Sequence, residues 1–353
     1  MGLFSFFKSG DKRTSEGLTY QLLPDGTYAV KGLGKCKDIE LVIPETYKGK
    51  AVTVIGEKAF MIIREGEYYE NKSLISVEIP NSVTVIGERS FEYCYNLKSV
   101  VFGESVKTIG KCAFDGCENL TSVNIPNSVT IIDDYAFGQC KNLASVNIPN
   151  SVTKIGKHAF WGCDNLTSVI LPNSVTTLEE GVFSHCENLV NVVIPNSVTT
   201  IGKEAFFDCR SLTNIVIPNS VITIGEKAFW WCRSLTNVVI PDSVITIETG
   251  AFLNWEKLEY VVIGKNVQKI ENYAFLVNLD EVKGDWQIPV YYRGIAENWK
   301  KVQHDKSGLV YFNKYSNRYD TLYFYSETQP TEKGNYWRYV NGVPTVWESA
   351  TVN

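Results

Sequence analysis

Cysteine and histidine are the residues of this 353-residue chain best suited to redox, nucleophilic or metal chemistry, and it has nine of the first and three of the second. Seven cysteines keep one spacing: Cys94, Cys117, Cys140, Cys163, Cys186, Cys209 and Cys232, each 23 residues after the last. Cys36 and Cys112 stand outside the series. Zinc sites call for tight pairs such as C-x-x-C, and Cys112 with Cys117 is a weak substitute. Disulfides between successive members are within reach if the members stack, but seven is odd and neighbours would compete. Free cysteine packs as a small hydrophobe, so the expectation is a ladder of reduced, buried thiols. Unpaired cysteines in this number suit a reducing compartment.

The other chemical candidates are thin. His158 and His185 fall at different places in the repeating unit and do not form one column. His304-Asp305-Lys306-Ser307 holds the residue types of a hydrolase. Sequence neighbours rarely reach triad geometry, however, and no G-x-S-x-G elbow occurs. H-E-x-x-H, P-loop and Rossmann fingerprints are missing too. The acidic corners Asp133-Asp134 and Glu179-Glu180 are two units apart and read as solvated rather than calcium-binding. The expectation is no enzyme, with no catalytic residue, no cofactor and no metal.

The cysteines belong to a larger pattern. Leucine recurs from Leu74 through Leu97 and Leu120 to Leu258, and phenylalanine from Phe91 through Phe114 and Phe137 to Phe275, all at the same period. Such a period reads as a solenoid. In the copy that starts at Leu120, Val123 and Ile125 alternate and point to one side of a short strand, with Ser122 and Asn124 on the other. Pro126 lacks an N–H and should end that strand. Asn127-Ser128 turns the chain, Val129 and Ile132 return inward, and Ala136-Phe137 opens a helical turn that carries Cys140 inward. One loop of this kind has no wall to bury its apolar side against, so copies must stack. About ten rungs at roughly 4.8 Å give a body about 50 Å long.

The consensus N-L-x-S-V-x-I-P-N-S-V-T-x-I-G-x-x-A-F-x-x-C resembles the BspA-like, or treponemal-type, leucine-rich repeat family, from about Val42 to Phe275. The resemblance implies a β-rich, right-handed solenoid with a parallel sheet and short helical turns. It also implies a binding role, in many members adhesion or host and matrix contact at the bacterial cell surface. The shared motif is structural and transfers no catalytic residue.

Constant columns make a core, so a partner is sought in the varied ones. Two residues after each leucine, the outward position becomes Asn191, Asn214, Asn237 and Tyr260. Four residues after, it turns apolar as Ile170, Val193, Val216, Val239 and Val262. These nine residues are the candidate partner-binding site, because contiguous exposed apolar patches mark contacts. The bland account is that branched residues suit strands. On the opposite edge stand Trp161, Phe207, Trp230, Trp231 and Leu253. Trp255, in the cysteine register, is expected in the core, and one of Trp230 and Trp231 is expected to pack while the other shows.

The ends read as caps. Residues 1–17 form a flexible leader in which Phe4, Phe6 and Phe7 offer a peripheral contact, with no signal-peptide core. Residues 18–36 form a hairpin around Pro24-Asp25-Gly26. The solenoid spans 37–278, with insertions around Tyr47-Lys48-Gly49 and between Phe60 and Leu74, the second holding Arg64, Tyr68 and Tyr69. Residues 279–353 hold a decayed rung, with Trp299 in the phenylalanine place, and an aromatic cap with a hairpin around Asn341-Gly342. No run of about 18 apolar residues spans a membrane. Net charge is −5 and no basic stripe interrupts the repeats, which argues against nucleic acid. The expectation is a binding scaffold for a protein or glycan ligand. The alternative is an intracellular structural or regulatory repeat protein, favoured by the unpaired cysteines and the missing signal peptide. Oligomeric state is left open.

Overall fold

The computed structural model describes residues 14–64, 67–69, 71, 73–255, 257–275, 289–304, 322–331 and 334–347, and only the backbone over 62–64 and 67–69. A typical rung runs through a three-residue strand, a P-N-S-V turn, a two-residue strand and a pair of tight turns. In one rung these are Ser122–Asn124, the turn closed by Val129 N–H to the Pro126 carbonyl at 3.0 Å, and Ile131–Ile132. Strands pair in parallel with the same residue of the next rung, Val123 with Val146 and Ile132 with Ile155. The chain is thus a β-rich leucine-rich repeat solenoid.

The core is a set of columns. Leu120, Val129, Ile132, Ala136, Phe137 and Cys140 are all fully buried, and so are their counterparts in the next rungs. Phenylalanine rings stack from Phe60 to Phe275, with centroids 4.8 Å apart for Phe60 and Phe91 and 5.7 Å for Phe183 and Phe206. Nearly parallel rings follow from equal backbone phase: each side chain meets its own copy.

The cysteine column is a ladder of free thiols. Each thiol points at the phenylalanine carbonyl of the preceding rung: Cys140 Sγ to Phe114 O at 3.3 Å, Cys163 Sγ to Phe137 O at 3.2 Å, Cys232 Sγ to Phe206 O at 3.2 Å. Cysteine is small enough for the core and still offers a weak donor to a buried carbonyl. Trp255 is fully buried and its indole Nε1–H donates to Phe229 O at 2.7 Å, the same bond from a stronger donor. The serine of P-N-S-V works likewise, Ser128 Oγ donating to Val106 O at 2.6 Å.

The turn side carries its own backbone ladder. Tyr135, Phe137 and Gln139 donate their N–H groups to Lys157, Ala159 and Trp161 of the next rung at 2.9, 2.9 and 2.6 Å. The residues two before and two after each column phenylalanine from Phe91 to Phe252 adopt positive φ, for example Tyr135 at 56° and Gln139 at 50°. A non-glycine residue there costs about 1–2 kcal/mol, which the interlocking bonds on both sides must offset. Stacking is close enough to exclude side chains in places: a Cβ at Gly110 would lie 2.7 Å from the Ile86 carbonyl oxygen.

The N-terminal hairpin forms as Thr19–Leu22 and Tyr28–Gly32, and its second strand joins Lys50–Ile55 in parallel, continuing the sheet of short strands. The first insertion makes the antiparallel pair Thr46–Tyr47 with Lys50–Ile55, and the second pairs Ile62–Arg64 with Glu67–Tyr69. The leader is not free throughout. Ser15 is buried and exchanges bonds with Val42, its N–H to the carbonyl at 2.8 Å and its Oγ from the Val42 N–H at 3.0 Å. Phe4, Phe6 and Phe7 lie outside the described residues.

At the other end, Val290–Tyr292, Leu322–Tyr325 and the hairpin Tyr336–Val340 with Val343–Val346 extend the strand sheet beyond Tyr260–Ile263. Asn341 and Gly342 both have positive φ, at 51° and 81°, as a two-residue hairpin turn needs. The decayed rung differs from its reading in sequence. Trp299 lies in the short helix Ala296–Trp299, ahead of the strand Gln303–His304, whereas Phe275 follows its short strand Lys269–Ile270. Trp299 therefore fills the core from the turn between the two strands, not from the phenylalanine place. Asp305, Lys306 and Ser307 lie outside the described residues, as does the register slip at Leu279.

Trp255→Phe keeps the ring and removes the donor to Phe229 O. We expect it to lower stability by about 1–3 kcal/mol in denaturant unfolding, the cost of leaving a buried carbonyl short of a partner. An unchanged midpoint would show that the bond adds nothing.

Candidate functional site

The strand sheet presents its outer face in two columns. Ile170, Val193, Val216 and Val239 are 71, 47, 70 and 40% exposed. Ile170 pairs directly with Val193 across the rungs. The column before them shows Asn191 and Asn214 exposed and Asn237 and Tyr260 half-buried. Toward the N-terminus the column of Ile170 reads Glu78, Val101, Asn124 and Asn147, with Val101 49% exposed and Asn147 donating its side-chain amide to Asn124 at 3.2 Å. All nine residues read from sequence point to the outer face, and eight of them are at least partly exposed there.

The ninth, Val262, is fully buried. It packs with Tyr291 and Trp337 in a second, smaller core on the outer face, flanked by Tyr260, Tyr323, Tyr325 and Tyr339. Trp337 is anchored by its Nε1–H to Tyr292 O at 3.0 Å. The cap carries a wall of aromatic rings across the sheet and closes the stripe at that rung. The strand facing follows from alternation within the repeat, whereas the cover over Val262 comes from Tyr291 and Trp337, outside it.

The turn face carries a ribbon of half-buried rings. Tyr135 stacks on His158 at 4.8 Å, Trp161 meets His185 edge-on at 6.3 Å, and Phe207 contacts His185, Trp230 and Trp231. Both indoles of the Trp230-Trp231 pair are half-buried, so neither packs wholly nor shows wholly. His158 lies over Gly181, whose hypothetical Cβ would fall 2.1 Å from the imidazole. Asp208 is buried beneath the ribbon, bound by the Arg210 fork through two bonds of 2.8 Å and facing His185 Nδ1 at 3.2 Å. The acidic corners are paired at the surface, Asp133 with Lys154 at 3.1 Å and Glu180 with Lys157 at 3.0 Å.

One cluster was not foreseen. Glu92 and Asp115 occupy the position just after phenylalanine in adjacent rungs, and Cys112 projects from the turn before Phe114. One ligand atom from each lies within 4.8 Å of the others. Glu92 and Cys112 are buried, and neither Glu92 Oε2 nor Asp115 Oδ1 accepts a hydrogen bond. Burial first, then the Glu92 carboxylate, raises the Asp115 pKa to about 7. Burial, followed by the Asp115 and Glu92 charges, pushes the Cys112 thiol up to about 12. The sequence did carry a signal, acids at one register position in successive copies, which becomes visible only when the copies are aligned as columns.

Comparison with known proteins agrees with this geometry. A family profile described as the BspA type leucine rich repeat region matches residues 53–190 and 153–280, in six copies. A leucine-rich repeat protein from Bacteroides ovatus is similar at 26% identity and a TM-score of 0.62, over 83% of this chain and 78% of that one. The T. pallidum leucine-rich repeat protein is similar at 28% identity and a TM-score of 0.50, over 64% of this chain and 91% of that one. Among curated proteins no match is found.

Asp115 gives a pH dependence. Its folded pKa of about 7 stands above the ordinary 3.8, so the folded chain holds a proton that the unfolded chain has released between those values. Stability from this group is therefore greatest below pH 4 and falls as pH rises through 7. In chelator-treated protein, Asp115→Asn should exceed the parent at pH 8 by on the order of 1–2 kcal/mol, the gap closing toward pH 4. A gap independent of pH in unfolding titrations would show that Asp115 is ionised throughout.

Proposed function

Because the chain belongs to the BspA-type leucine-rich repeat family, we propose that it is a non-enzymatic scaffold that binds a protein partner through the outer face of its strand sheet. The observation that carries this is the exposed run of Ile170, Val193, Val216 and Val239, four branched side chains in adjacent rungs. Asn191, Asn214 and Asn237 line one flank and supply amides for a polar rim. An apolar centre with a polar rim is the usual anatomy of a protein interface. Four rungs span only about 15 Å, so the stripe is a hot spot within a larger footprint rather than the whole contact. Val262 and Tyr260 then bound the footprint at the cap instead of joining its centre.

A glycan ligand is the less supported reading. It rests on the rings of the turn face, and these already meet one another edge to face, as Trp161 does His185 and Phe207 does Trp230. Adhesion at a cell surface is the setting that suits a rigid, repeated binding face; an intracellular interaction role suits nine free thiols. No helix among the described residues is long and apolar enough to cross a membrane.

Val216→Asp should leave unfolding within about 0.5 kcal/mol of the parent, since the site is outward, and abolish capture of the partner by a photo-crosslinker at Val193 in the native cell. Retained crosslinking at parental yield would remove the stripe from the binding surface. Val262→Asp is the contrast: burying an unpaired charge beneath Trp337 should cost several kcal/mol, on the order of 3 or more, and be lost in unfolding assays rather than binding assays.

A further inference from the structure

The strongest unexplained feature is the cluster of Glu92, Asp115 and Cys112. Two carboxylates stack in adjacent rungs under the turn face, where other rungs place Gly138, Trp161, Ser184 or Phe207. Nothing in the packing of the solenoid calls for acids there. The Glu92 side chain is only 4% exposed, and its nearest cation, Arg89 Nη1, is 3.8 Å from Oε2, beyond hydrogen-bond distance. Oε2 and Asp115 Oδ1 are both shielded from solvent and accept no hydrogen bond. Buried carboxylate oxygens are normally paired or coordinate a metal. Gly138 of the next rung packs close against Asp115: a Cβ there would lie 2.7 Å from Oδ1, too near for any larger residue.

We propose that Glu92, Asp115 and Cys112 form a three-ligand zinc site between adjacent rungs, with a water as the fourth ligand. The ligand atoms already lie within 4.8 Å of one another. A tetrahedral zinc with bonds of about 2.0–2.3 Å needs them about 3.5 Å apart, within reach of side-chain rotation. The donor set selects the metal. A thiolate with two carboxylates suits borderline-soft zinc, whereas calcium asks for six to eight oxygens and magnesium for an octahedral shell. Charge agrees. Two carboxylates and a thiolate carry three negative charges, and Arg89 is shared between Glu92 at 3.8 Å and Glu88 at 3.6 Å, so a divalent cation supplies the balance that the protein lacks. Binding exchanges the Cys112 S–H bond for a sulfur–zinc bond and releases that proton to solvent. The site ties two rungs together on the face where positive-φ residues such as Arg89 and Cys112, at 54° and 52°, hold the backbone.

The test is zinc binding by the full-length chain after dialysis against chelator, titrated in competition with a chromophoric chelator. The expected result is one zinc per chain with release of a proton. Cys112→Ala and Asp115→Asn should each weaken binding by more than about a hundredfold, since removing a ligand costs more than removing its support. Cys36→Ala and Cys163→Ala should leave it unchanged. Failure of the parent to retain stoichiometric zinc, or full retention by the Cys112→Ala, Asp115→Asn double variant, overturns the site. Should either variant fail to fold, cobalt substitution of the parent decides. A thiolate-to-cobalt charge-transfer band that is lost when Cys112 is alkylated supports the site, and its absence overturns it. Neither readout depends on a binding partner, so this proposal and the strand-face proposal stand or fall separately.

Discussion

Everything in this molecule depends on equal phase between successive rungs. The backbone bonds from one turn to the next, such as Phe137 N–H to Ala159 O at 2.9 Å, leave no freedom for a rung to rotate or slide. Once phase is fixed, each inward residue must pack against its own copy. That explains the parallel phenylalanine stack, and it explains why the same position can be cysteine seven times over. The cysteine is neither a redox device nor a simple space filler. It is a small residue with a donor aimed at a carbonyl that the phenylalanine turn leaves exposed to the core. Trp255 makes the point, because a residue of quite different size occupies the register and keeps the same hydrogen bond.

Equal phase also sets what could be read from the chain in advance. Inward columns announce themselves by repetition, so the core, the strand facing and both hairpins were legible. Features that break repetition were not. Val262 belongs by spacing to the exposed column and is buried by Tyr291 and Trp337, which arrive from residues far along the chain. Trp299 matches the phenylalanine position by a short motif, yet the decayed rung places it in the turn between strands. Ser15 looks like leader and is tied to Val42 by two bonds. In each case a contact from outside the repeat overrode the local pattern. The Glu92, Cys112 and Asp115 cluster was missed for a related reason: Glu92 and Asp115 share a column while Cys112 comes from another, and only the fold brings the two columns together.

The same column supplies its own control for the reading of the stripe. At Val262 an apolar side chain is accounted for by packing under the cap. At Ile170, Val193, Val216 and Val239 no internal contact accounts for it, for these are the exposed members. Strand preference is the competing cause. Residues 214–216 form no regular strand, although the flanking rungs do in Asn191–Val193 and Asn237–Val239. Val216 is nonetheless apolar and 70% exposed. Its exposure, not its secondary structure, is what groups it with Ile170, Val193 and Val239. The outward column is polar at Asn124 and Asn147 and closed by the cap at Val262, which leaves those four as the apolar run on which the proposed binding face rests.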